Sequence, residues 1–410
     1  MSKTLQHASG PRLSPQTLAA SAGVAHDPAF NAVSPPLHLS ANYAWSDPLE
    51  KPQYDYARSG NPTRCQLEEA LCSLEGAARG VVTASGMAAL DLTFNLAGPG
   101  DLVLAPHDCY GGTHRLLTAR AKKGQFEVAF VDQTDPAALA AAFARKPKLV
   151  LIETPSNPLL RITDIGDVVR LARECGAITV ADNTFLSPAL QRPLALGCDI
   201  VVHSTTKFIN GHSDVVGGAV LAREAALGEE LAWWANCTGV TGAPFDSFMT
   251  LRGLRTLFAR IEAQQAAAGA VVDALAADAR VARVFYPGLA SHPGHEIARE
   301  QQRGFGSMFS VEFAESVDVI ELLRRLRIFT IAESLGGFES LVCVPAAMTH
   351  ASMTPAARAT AGISERLVRF SIGLEHADDL VRDIHAALDL AGSDTAKVAY
   401  LEKQAASACG

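Results

Sequence analysis

The chain has 410 residues, 48% of them hydrophobic and 19% charged, with a formal net charge of -8. That length holds about two or three domains, and the apolar and charged fractions exclude a disordered chain and a coiled coil. The mildly acidic balance speaks against a dedicated nucleic-acid binder. Cysteines at 65, 72, 109, 175, 198, 237, 343 and 409 lie far apart with no Cys-x-x-Cys pair, which predicts reduced thiols rather than a disulfide framework or a metal site. The opening residues Met1–His7 carry no apolar stretch and no later run is long enough to span a bilayer, so a cytoplasmic protein away from membranes is expected.

From about residue 80, short apolar runs alternate with helix-like stretches. Strands are predicted at Val81–Thr83, Leu102–Leu104, Val128–Val131, Leu149–Ile152, Ile178–Val180 and Ile200–Val202, each nearly continuous in apolar residues, as parallel strands covered on both faces require. Between them, Ile165–Cys175 places Val168, Val169, Leu171 and Ala172 on one helical face. After Gly218 the pattern changes, and Leu251–Ala274 reads as one long Ala-rich helix. A strand at Met308–Phe313, a helix over Val319–Leu326, a strand at Leu367–Ile372 and a closing helix follow. The predicted architecture is α/β: a large, mostly parallel-sheet domain over 59–250, then a smaller α+β domain over 251–410 entered by the long helix. From about Gly392 the residues are small and polar and are expected to fray.

Lys207 is the centre of the chemistry. It follows Asp199-Ile200-Val201-Val202-His203-Ser204-Thr205-Thr206, a strand ending in hydroxyl residues at the sheet edge where open α/β folds bind ligands. A lysine desolvated there has a lowered pKa and can form a Schiff base, with Ser204 and Thr206 offering hydroxyls to a nearby anion; alternatively it simply ends a strand in solvent. Val82-Thr83-Ala84-Ser85-Gly86-Met87 reads as strand, small-residue turn and helix start, so the amides of Gly86 and Met87 can point at a phosphate, or the turn is an ordinary one. Asp182 ends another strand; there it either faces a cationic partner such as a pyridinium nitrogen or caps a helix. An amine, an acid and a phosphate cradle at three strand ends match the needs of pyridoxal phosphate. A nicotinamide site lacks its Gly-x-Gly-x-x-Gly turn.

With these positions go long ordered motifs: Tyr56-Ala57-Arg58-Ser59-Gly60-Asn61-Pro62, Pro106-His107-Asp108-Cys109-Tyr110-Gly111-Gly112, Glu153-Thr154-Pro155-Ser156-Asn157-Pro158, Glu333-Ser334-Leu335-Gly336-Gly337 and Leu367-Val368-Arg369-Phe370-Ser371. From about Pro35 to Ala387 the chain resembles the Cys/Met-metabolism family of pyridoxal-phosphate enzymes, of fold type I. The resemblance implies that Lys207 carries the cofactor, Asp182 pairs with its ring nitrogen and Tyr110 stacks on the ring. It further implies that Gly86, Met87, Ser204 and Thr206 hold the phosphate, joined by Tyr56 and Arg58 from residues 1–58, an arm reaching a neighbouring subunit of a homotetramer.

Arg369, in an otherwise apolar strand, wants a carboxylate. By resemblance that partner is the substrate's α-carboxylate, assisted by Ser334 and Asn157, while Glu339 and Asp55 shape the pocket around the amino and distal groups. The implied reaction is γ-replacement, joining an O-acylhomoserine and cysteine into cystathionine. Ser59 stands where some members carry a second arginine for the succinyl carboxylate, leaving Arg115 for that group. Gly112 stands where methionine γ-lyases usually have Cys, and Leu335 where one type of β-lyase has Trp. Ser59 is also common in γ-lyases, so γ-elimination from cystathionine is the alternative, with a sulfhydrylase behind it and a non-catalytic cofactor-binding protein as the reading of another class.

Overall fold

A computed structural model describes residues 13–391, apart from 26, 28 and 352; the expected fraying from Gly392, like Cys409, lies outside the described residues. Among the described residues twelve strands form two sheets. The first holds β1 (Arg79–Thr83), β2 (Leu102–Pro106), β3 (Glu127–Val131), β4 (Leu149–Glu153), β5 (Ile178–Asp182), β6 (Ile200–His203) and β7 (Gly218–Ala222). Its order is β1-β7-β6-β5-β4-β2-β3. Strands β6, β5, β4, β2 and β3 run parallel, and β7 lies antiparallel between β1 and β6.

The continuous apolar runs have a direct physical cause. Leu149 and Leu151 pack into one buried cluster while Val150 and Ile152 pack into another on the opposite face, and Ile200 and Val202 divide from Val201 in the same way. A strand with helices on both sides has no face left for polar residues.

The second sheet holds β8 (Val281–Phe285), β9 (Met308–Phe313), β10 (Thr330–Ile331), β11 (Leu341–Cys343) and β12 (Leu367–Ser371), in the order β10-β11-β12-β9-β8. Only β10 and β11 are parallel; the other pairs are antiparallel. Phe309, Phe313, Phe329 and Phe370 fill its core together with Val271, Val272 and Leu275 of the long helix.

The expected helix over 251–274 is two helices, Pro244–Leu254 and Leu257–Ala276. The break follows from side-chain competition for the backbone: the carbonyl of Gly253 accepts from Arg260 Nη2 at 2.9 Å and from Thr256 N at 3.1 Å. Gly253 also packs so tightly that an added Cβ would lie 2.1 Å from the carbonyl oxygen of Asn210. Strand β7 escapes prediction because Gly-Ala-Val-Leu-Ala suits either structure, and β8, β10 and β11 are short or poor in alternation. Among the described residues no helix is long and apolar enough to cross a membrane.

Candidate active site

The parallel strands deliver their side chains at one edge. After His203 the chain turns through Ser204-Thr205-Thr206, and this turn is tied to the entry of β7 because Thr206 Oγ1 donates to the Gly217 carbonyl at 3.2 Å and accepts from its N–H at 2.9 Å. Lys207 is thereby held with Nζ donating to Ser334 Oγ at 2.7 Å. Burial, and then the positive charge of Arg369, bring its amine down to about 8.

Two acids end neighbouring strands in register, Glu153 on β4 and Asp182 on β5. Asp182 lines the cavity, one oxygen accepting from Thr184 N at 3.0 Å, and desolvation raises its pKa. Glu153 is pushed well above the usual carboxylate range by burial and then by the Asp182 charge. Its Oε2 accepts from Tyr110 N at 2.9 Å and its Oε1 from Asn157 N at 3.2 Å, so one carboxylate anchors two cavity residues. The sequence motif contains Glu153 without revealing this role; an acid ending the strand beside that of Asp182 was the available signal.

The third edge is the start of the helix Gly86–Thr93, capped by Ser85, whose Oγ accepts from Ala88 N at 3.1 Å. First-turn amides have no acceptor within a helix. A Cβ on Gly86 would lie 2.6 Å from Ser204 Cβ and 2.9 Å from Ser204 Cα, so only glycine lets this helix end close against the Ser204 turn. Tyr110, 38% exposed, presents its ring to the cavity, and a Cβ on Gly112 would lie 2.5 Å from the ring's Cε1.

The other sheet contributes Arg369 from β12, only 3% exposed. Its Nη1 donates to Asn157 Oδ1 at 3.0 Å and its Nη2 to the Ser334 carbonyl at 2.7 Å. Among the described residues this buried guanidinium meets no carboxylate. Ser334, at φ 84°, bridges Lys207 and Arg369. Gly86, Met87, Tyr110, Asn157, Asp182, Ser204, Thr206, Lys207, Ser334 and Arg369 all line one cavity of about 430 Å³, together with Glu153, Glu333 and Thr349.

Residues 16–389 match the model of the Cys/Met metabolism PLP-dependent enzyme family. The chain belongs to that family. It is similar to the cystathionine γ-synthase of Escherichia coli, 53% identical over 90% of this chain and 96% of that protein. It is also similar to the cystathionine β-lyase of Coxiella burnetii, 45% identical over 90% of this chain and 96% of that protein. The crystal structure of cystathionine γ-synthase from Xanthomonas oryzae pv. oryzae in complex with cystathionine is 56% identical, with a TM-score of 0.91 over 93% of this chain and 98% of that one.

Pyridoxal phosphate is the cofactor of the family, and the residues fit it. A half-buried amine, a half-buried acid with no cationic hydrogen-bond partner among the described residues, and a glycine cradle beside a Ser204 hydroxyl that no described residue engages are the donor set it demands.

The remaining sequence-predicted residues lie away from the cavity of this single chain. Tyr56 and Arg58 are exposed, the guanidinium 5.5 Å from the tyrosine ring centroid. Asp55 accepts from Tyr56 N and Ser59 Oγ, both at 2.7 Å, and pairs with Lys51 at 3.1 Å; the Ser59 bond leads in holding it down at about 2. Arg115 stands exposed on the helix Gly111–Lys122. Glu339 accepts from Ser213 Oγ.

Proposed function

We propose that this enzyme replaces the γ-acyloxy group of an O-acylhomoserine, O-succinylhomoserine first among them, with the sulfur of cysteine, giving cystathionine and the free carboxylate. The Cγ–O bond breaks, the Cγ–S bond forms, and the thiol proton leaves with the acyl group. The observation that carries the reading is Arg369: a buried guanidinium without an acidic partner, meeting the Lys207 amine at Ser334, is a receptor for the α-carboxylate of an amino acid whose Cα lies near a base. Identity to synthases of two bacteria, each above half, supports γ-replacement within that chemistry.

Bound pyridoxal phosphate supplies an electron sink for charge developing at the substrate's carbons. Lys207 would hold the cofactor, Asp182 its ring nitrogen, Tyr110 its ring face, and Gly86, Met87, Ser204 and Thr206 its phosphate. Arg369 and Asn157 orient the substrate carboxylate, so that the Cα proton points toward Lys207 Nζ. An amine near 8 accepts that proton and returns one later without a large penalty in either direction near neutral pH. Glu153 keeps Tyr110 and Asn157 in place through their amides.

The same proposal makes the sites shared. Phe30 at 87% and Leu49 at 92% exposure, with Val33 and Leu39 also exposed, leave the segment before Tyr56 apolar and uncovered in one chain, as suits packing against a second copy within a homotetramer. Tyr56 and Arg58 would then complete the partner's phosphate site, while Glu339 and Asp55 would shape the substrate pocket around the amino and distal groups and Arg115 would meet the distal carboxylate. A cytoplasmic setting accords with the free cysteines among the described residues.

The test offers O-succinylhomoserine with cysteine, and cystathionine alone in a second tube. Cystathionine in the first supports the synthase. Faster release of 2-oxobutanoate and cysteine in the second would make the protein a γ-lyase.

A further inference from the structure

A second cavity, of about 590 Å³, opens between the two sheets and shares no residue with the catalytic one. One wall carries Leu159, Ile162 and Leu171, and the other carries Arg283, Phe285 and Glu312. Its volume lies within the usual range of small-molecule sites.

Most of the polar groups on its walls are already engaged. Arg161 Nη1 bonds His107 at 2.6 Å and Asp108 at 3.3 Å, and its Nη2 donates to the Ala361 carbonyl at 3.0 Å. Arg170 pairs with Asp167 and Glu174, and Asp164 accepts from Asp167 N at 3.0 Å. His292 Nδ1 accepts from Gly294 N at 3.1 Å, and burial brings the ring down to about 4, so it is neutral.

Two charges remain. Arg283 on β8 and Glu312 on β9 stand opposite each other in the strand register. Cross-strand opposite charges at such positions ordinarily attract. Here they form no salt bridge with each other or with any other described residue; Arg283 is exposed at the cavity mouth with its guanidinium 4.6 Å from the Phe285 ring centroid, and Glu312 is half-buried. A simple anion in this cavity would meet Glu312, and a simple cation would meet Arg283. A molecule carrying both charges as substituents of one carbon, with an apolar remainder, pairs with both groups and packs on the aliphatic wall together.

We propose that this cavity binds a free α-amino acid with an apolar side chain, its carboxylate on Arg283, its ammonium on Glu312, and its side chain against Leu159, Ile162, Leu171 and Phe285. The site is separate from the catalytic one and stands whether or not the enzyme is a synthase.

The test titrates the holoenzyme with L-norleucine, which has no γ substituent to lose, and reads stoichiometry and affinity by calorimetry. Binding is expected to persist in Arg369→Leu, whose catalytic cavity has lost its carboxylate receptor, and to weaken about tenfold or more when Arg283→Ala or Glu312→Gln is added. Norleucine amide and N-acetylnorleucine, each lacking one charge, are expected to bind at least as poorly, a result that does not depend on how the variants fold. Absence of binding to Arg369→Leu while the unsubstituted holoenzyme binds only one norleucine per subunit would overturn the proposal. Equal affinity for norleucine and its amide would do the same.

Discussion

In the seven-stranded sheet the reactive groups stand at strand ends: Lys207 beyond β6, Asp182 closing β5 and Glu153 closing β4. In the five-stranded sheet Arg369 projects from the middle of β12, flanked by buried Val368 and Phe370. The first arrangement lets turns aim each group separately, since backbone donors such as Tyr110 N and Thr184 N fix the carboxylates. The second gives a charge no freedom of its own, and its position is as rigid as the core around it. On the proposed reading the difference divides the labour of the cavity: the parallel sheet would hold cofactor and proton chemistry, and the antiparallel sheet would set where the substrate carboxylate lies.

Breaking the parallel side at its amine has the largest expected effect. Lys207→Ala is expected to lower kcat by about 10³-fold or more while leaving the thermal midpoint close to that of the parent, because on the proposed mechanism the amine is both anchor and base. A folded variant with unimpaired turnover would remove the basis for the assignment.

On the antiparallel side, Arg369→Leu is expected to cost about 10²-fold or more in kcat/KM, chiefly through KM, by leaving the substrate carboxylate without its partner. It also carries a pH signature. In the cofactor-free protein only the neutral form of Lys207 attacks an aldehyde, so capture of pyridoxal phosphate is expected to accelerate as pH rises through about 8. Arg369 is one of the charges favouring that neutral form, and removing it moves the midpoint to higher pH. An unchanged midpoint in a stopped-flow titration would mean that the two sheets are not electrostatically coupled.

Glu153→Gln sharpens the comparison within the parallel side. An amide has one accepting oxygen where the carboxylate has two, so Tyr110 N or Asn157 N loses its acceptor, and kcat is expected to fall about tenfold. Recovery in Glu153→Asp, which keeps both carboxylate oxygens on a shorter side chain, would support the paired acceptors, whereas an unchanged kcat in the equally bulky Glu153→Gln would contradict them. The smallest effect belongs to Gly86→Ala, where the new methyl meets Ser204 and is expected to weaken cofactor binding about fivefold by equilibrium dialysis.

The same division explains what was legible in the sequence. Strand ends announce themselves, because an apolar run followed by hydroxyls, an acid or a lysine is a local pattern; the ends at Asp182 and Lys207 stand where that pattern puts them. Arg369 is legible as an anomaly, a charge within an apolar strand. Strand β7 was not, since its five small and aliphatic residues suit two structures and only its place between β1 and β6 decides. The split at Gly253 was hidden too, because the cause is the Arg260 side chain reaching back to carbonyls at 208, 209 and 253. Glu153 sat inside a recognised motif, yet its function is to bond the backbone of distant Tyr110, and sequence carries no record of which amide an acid will find. The arm around Tyr56 is legible only through the family resemblance, because its residues make no local pattern of their own and in a single chain stand exposed.

The most direct test of the central claim is chemical trapping of the holoenzyme with borohydride, followed by peptide mass mapping. The account predicts one reduced pyridoxyl group per subunit, on Lys207 and absent from Lys207→Ala. A label on another lysine, or none on a catalytically active protein, would contradict it.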